Sequence, residues 1–111
     1  MRMKVETGNL PKALRKKGLK GKLVEICMKN DVVFMAVFGS FVRNQQREES
    51  DVDVAIEFDE HSGKSLFDLV RLEDELTVVF GRKVDLGIFS SLSPYMIEDV
   101  KKEMQVIYEK R

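Results

Sequence analysis

Seven apolar residues in succession, Val32 to Phe38, break a chain in which charged and apolar positions otherwise alternate closely. The run is rich in β-branched and aromatic side chains, ends at Gly39-Ser40, and predicts a strand over 32–38. A second strand-like run covers 51–58, where Val52, Val54, Ile56 and Phe58 alternate with Asp51 and Asp53. A third covers 83–89, with Val84, Leu86 and Ile88 alternating with Asp85 and Gly87, and a short one follows at 106–108. The spacing changes between these runs. Leu66, Leu69, Val70, Leu76 and Phe80 recur at helical intervals, preceded by Ser65 as N-cap with Asp68 three residues on and closed by Gly81. Ser93 and Pro94 open another helix, with Met96, Ile97, Val100 and Met104 as its apolar stripe.

The first thirty residues are less regular. Pro11 is read as opening a short basic helix punctuated by Gly18 and Gly21, and Leu23, Ile26 and Cys27 share a helical face that ends near Asn30-Asp31. Residues 1–9 read as irregular or weakly extended, 40–46 as a short helix, and 59–64 as a loop carrying His61 and Gly63. Helices alternating with strands predict a single α/β (α+β) domain over 1–111. Its expected architecture is a small mixed sheet of three to four strands with helices packed mainly on one face.

Composition adds two constraints. Lysine plus arginine and aspartate plus glutamate number 19 each, so net charge does not point to a nucleic-acid partner. The charge is unevenly spread: residues 1–30 carry nine basic and two acidic side chains, and residues 44–75 carry three basic and eleven acidic. A lone cysteine, Cys27, permits no internal disulfide, and no signal-peptide core or membrane-length run is visible; a reducing cytoplasm is the expected compartment.

The chemistry concentrates at two strand ends. Backbone N–H groups at a strand-to-helix turn point outward, and Gly39, lacking a Cβ, lets an anion approach them. The Ser40 hydroxyl can donate a further hydrogen bond. The turn is neither a P-loop nor a three-glycine dinucleotide fingerprint. Twelve positions on, Asp51 and Asp53 lie two apart on a strand and so project to one face, a like-charge pair that a divalent cation would relieve. Mg²⁺ is commonly held by one or two carboxylates plus substrate phosphates. Asp85 is the single acid in its apolar strand. If the second and third strands are neighbours it can join the pair, and three carboxylates can hold two metal ions across an in-line displacement. Arg43 is a candidate phosphate partner; Arg47, His61, Tyr95 and Tyr108 read as ordinary surface or packing residues.

The order strand, Gly39-Ser40, short helix with Arg43, polar loop, Ser50-Asp51-Val52-Asp53, helix, strand with Asp85 resembles the minimal nucleotidyltransferases of the DNA polymerase β-like superfamily. The likeness covers about residues 20–108. It implies the nucleotidyltransferase fold, a phosphate-binding role for Gly39, Ser40 and Arg43, and a Mg²⁺ role for Asp51, Asp53 and Asp85. It also implies transfer of a nucleoside monophosphate from a nucleoside triphosphate such as ATP. Two positions depart from the family pattern: Asn44 stands where a glycine is usual, and Val42 where an alanine is.

No acceptor-binding domain is expected within these 111 residues. The resemblance implies that a partner supplies the acceptor, since minimal nucleotidyltransferases are commonly encoded with HEPN proteins as toxin–antitoxin pairs in which a toxin tyrosine is adenylylated. The chain lacks the HEPN Arg-(x)4–6-His-x-Tyr motif, so the resemblance implies the antitoxin role for it; a homodimer sharing a cleft is the other arrangement left open. Two alternatives stay open at the level of sequence: a non-catalytic module that neutralises its partner by contact, and transfer to a small molecule or an RNA end.

Overall fold

The computed structural model describes residues 3–8, 10, 14–39 and 51–110. Their element order is β1 (Met3–Val5), α1 (Leu19–Lys29), β2 (Val32–Phe38), β3 (Val52–Phe58), α2 (Leu66–Phe80) and β4 (Val84–Ile88), then a short 3₁₀ turn (Phe89–Ser91), α3 (Pro94–Glu103) and β5 (Gln105–Lys110). The five strands form one sheet in the order β1-β5-β2-β3-β4. Every pairing is antiparallel except β3 with β4. Parallel neighbours need a crossover, and α2 supplies it.

Strand alternation divides the sheet into two chemically different faces. Val52, Val54 and Ile56 lie in register with Val84, Leu86 and Ile88, and this face packs on α1 and α2. Leu19, Leu23, Ile26 and Cys27 of α1 and Leu72, Leu76 and Phe80 of α2 enter the same core as Met35, Val37 and Tyr108. The opposite face carries Asp53, Ala55 and Glu57 of β3, partnered by Phe38, Ala36 and Phe34 of β2. The 3₁₀ turn and α3 approach this second face: Phe89 stacks on Phe34 at 5.5 Å, and a side chain at Gly87 would meet Leu92. Two of the three helices among the described residues therefore share one face, as expected.

The local signals act as the sequence implies. Asp68 accepts hydrogen bonds from the Ser65 N–H at 2.9 Å and from its hydroxyl at 3.1 Å, and Gly81 closes α2 in the left-handed region. Ser93 accepts from the Met96 N–H, with Pro94 in the first turn. The helix after Ser65 begins and ends within a residue of its expected bounds, and α3 begins at Pro94 as expected.

Four expectations need correction. The sheet has five strands, because Met3–Val5 pairs with β5, a contact from the far end of the chain that no local pattern announces. The first helix begins at Leu19 and runs through Gly21, with Gly18 as its left-handed cap; residues 11–13, including the Pro11 start, lie outside the described residues. On α2, Leu66 and Val70 are exposed. A helix turns 100° per residue, so Val70 stands about 200° round from Leu72, on the side away from the core. On α3 only Val100 is buried, and Met96 is 49% exposed.

Candidate active site

Gly39 ends β2 with φ +79°, a conformation glycine adopts without penalty. A Cβ built there would overlap the Asp53 carboxylate. Glycine is thus required twice, by its backbone angle and by the acid pressed against its α-carbon. Asp53 is half-buried on β3, partnered by Phe38 on one side and by Asp85 of β4 on the other. Register partners in a parallel pair project to the same face, so these two carboxylates stand on adjacent strands about 4.8 Å apart in backbone spacing. Asp51 precedes β3 by one residue and is exposed. Among the described residues no three acids, histidines or cysteines are gathered closely enough to form a metal cluster. The register brings together Asp53 and Asp85 with Gly39; Ser40, Arg43, Asn44 and Val42 lie outside the described residues.

One neighbour was not anticipated. Glu103, the last residue of α3, accepts a hydrogen bond from the Gly39 N–H at 3.3 Å. Nothing in the local sequence marks it, since the contact spans 64 positions. It shows that the N–H of the buried Gly39, just beyond β2, takes a carboxylate oxygen.

Fit to a divalent cation rests on the donor set: the two paired carboxylates offer hard oxygen ligands, the kind Mg²⁺ selects. A separate cavity of about 420 Å³, lined by Phe34, Glu57, Phe89, Lys101 and Met104 among others, contains none of these acids.

The remaining candidates resolve into packing or surface. Burial pushes the Cys27 thiol up to about 12, which makes it inert as a nucleophile at neutral pH. Tyr108 is fully buried, and burial, with Cys27 beside it, raises its hydroxyl above the ordinary range. His61 is exposed, 3.3 Å from Glu60. No helix among the described residues is long and apolar enough to cross a membrane.

Comparison with known proteins gives this geometry a class. The family described as polymerase β nucleotidyltransferase matches residues 21–111. The chain belongs to that family and is a nucleotidyltransferase, as the Gly-Ser and Asp-x-Asp pattern implied. Among its relatives is a candidate protein adenylyltransferase of Methanocaldococcus jannaschii, 42% identical over 85 residues that span 77% of this chain and 89% of that protein. The protein adenylyltransferase MntA of Thermococcus cleftensis is 39% identical over 70 residues, 63% of this chain and 69% of its own length. A solved structure of a candidate minimal nucleotidyltransferase superposes with TM-score 0.66 at 33% identity, covering 78% of this chain and 86% of that one. A toxin–antitoxin crystal structure with AMP-PNP aligns with TM-score 0.67 over 82% of this chain and 73% of its own. At 19% identity that likeness shows the shared fold.

Proposed function

We propose that this protein transfers AMP from ATP to a hydroxyl of a partner protein, a tyrosine of a HEPN-type toxin, and that it acts as the antitoxin of the pair. The observation that carries the reading is the alignment of Asp53 with Asp85 beside Gly39. A paired carboxylate next to an anion-accepting turn is what a nucleoside triphosphate and its cation need, and little else requires like charges side by side. Relatives named as protein adenylyltransferases support the choice of acceptor class, and structural neighbours described as toxin–antitoxin complexes support the choice of partner.

In this reading Gly39 and Ser40 hold the triphosphate through N–H and hydroxyl donors, and Arg43 pairs with a phosphate. Asp51, Asp53 and Asp85 would hold Mg²⁺, which when bound supplies Lewis-acid stabilisation of the charge on the transferring phosphoryl group. The partner's hydroxyl oxygen forms a bond to the α-phosphorus while the bond to the α,β-bridging oxygen breaks and pyrophosphate leaves. Asp85, exposed at the outer strand of the sheet, would take the hydroxyl proton. The reaction belongs in a reducing cytoplasm, where the single buried thiol needs no partner.

The test is direct. The purified chain, the product of its neighbouring reading frame, Mg²⁺ and α-labelled ATP are incubated together, and label is followed on the partner. One or more AMP increments on a tyrosine are expected by mass spectrometry. Neutralisation of the partner without ATP or Mg²⁺ would instead identify a contact inhibitor.

A further inference from the structure

We infer that Glu103 is an internal substitute for the nucleotide's phosphate, occupying the Gly39 N–H until a triphosphate displaces it. This rests on the proposed function above and adds a regulatory residue from a distant part of the chain. The Glu103 carboxylate accepts from the Gly39 N–H at 3.3 Å. That N–H lies at the end of β2, in the turn assigned to phosphate. On its other side the same glycine packs against the Asp53 carboxylate.

Two anionic oxygens cannot share this place without repulsion. A phosphate oxygen bonding to the Gly39 N–H would meet Glu103 on the same donor and Asp53 close by. Cation neutralisation can relieve the charge of Asp53, which belongs to the proposed metal pair. Glu103 has the other course open to it, because its side chain is only partly buried at the last turn of α3 and can turn outward while the backbone stays anchored by β5. Nucleotide entry therefore turns the Glu103 side chain away from the Gly39 N–H, and Glu103 sets the affinity against which the triphosphate competes. The exchange also links nucleotide occupancy to α3, whose outer side presents Tyr95 at 88% exposure and Met96.

Inorganic tripolyphosphate isolates the phosphate turn from any contribution of base or sugar. Its Kd and that of Mg²⁺-ATP are measured by calorimetry for the wild type, Glu103→Ala, Glu103→Gln and Glu98→Gln. Glu98 lies exposed on the same helix, so its variant makes an equal charge change away from Gly39. Glu103→Ala is expected to bind both probes about three- to tenfold more tightly, the scale of the net contribution of one ordinary hydrogen bond. Glu103→Gln keeps the side chain's shape and should tighten binding less, while Glu98→Gln stays within about twofold. Exchange of the Gly39 amide should rise in Glu103→Ala and be slowed again when tripolyphosphate is added.

Unchanged or weaker binding by Glu103→Ala, or equal tightening by Glu98→Gln, overturns the inference while leaving the transferase reading in place. Failure of every form, wild type included, to bind either probe overturns both.

Discussion

Asp53 and Asp85 stand directly opposite one another across the parallel β3–β4 pair, on the sheet face away from the main core. Two carboxylates in that relation repel unless a cation lies near them. Neutralising one should therefore have opposite effects on stability and activity. Asp85→Asn is expected to lower AMP transfer by about two orders of magnitude or more, with a metal-free melting temperature equal to or above that of the wild type. Added Mg²⁺ should raise the wild-type melting temperature and leave the variant's unchanged. A variant that still labels its partner at the wild-type rate would remove Asp85 from the site.

Gly39 meets the Asp53 carboxylate where a Cβ would be, at a backbone angle that L side chains rarely adopt. Gly39→Ala should cost about 1–3 kcal/mol in chemical denaturation, combining the left-handed penalty with displacement of Asp53. It should also reduce transfer more than an equally destabilising change in the core, such as Val54→Ala. Equal loss of transfer in the two would make Gly39 a folding requirement alone.

Tyr108 is fully buried, and its hydroxyl has no hydrogen-bond partner among the described residues. An unsatisfied buried hydroxyl is a net cost, so Tyr108→Phe should leave stability unchanged or raise it by up to about 1 kcal/mol. A drop larger than that in urea unfolding would reveal a partner for the oxygen.

Cys27 should resist thiol reagents in the folded protein at pH 8 and react once the chain is unfolded. Its folded value, about 12, lies above the ordinary value near 9. The folded state then holds the proton more tightly than the unfolded chain does. Stability is fully present below about pH 9 and falls by about 1.4 kcal/mol per pH unit from there toward 12. Tyr108, also shifted upward, adds a loss of the same sign above its ordinary range. Cys27→Ala should flatten the part of the decline that begins near pH 9, as followed by urea midpoints across the alkaline range.

The features legible in the sequence are those governed by neighbours in the chain. Asp68 reaches back three residues to Ser65, Gly81 supplies the left-handed stop of α2, and Ser93-Pro94 opens α3, because caps are settled within a turn of backbone. The strand runs at 32–38 and 51–58 emerged within a residue of their expected bounds for the same reason. The face of α2 was less legible. Leu66 and Val70 fit a helical stripe, yet they face solvent, because periodicity fixes an angle between residues and not the direction of the core.

The sequence by itself determined which residues could bear the chemistry: the glycine at the strand end, the two aspartates at alternate positions where β3 begins and the lone acid of β4, since residue type and a period of two follow from the covalent chain. Tertiary structure decided what those residues meet. It set β4 beside β3 in a register that aligns Asp53 with Asp85, brought Met3–Val5 against β5, and carried Glu103 across 64 positions to the Gly39 N–H. Such pairings depend on how helices and strands pack to bury the apolar face. That energy is shared across the whole core and is written in no single segment.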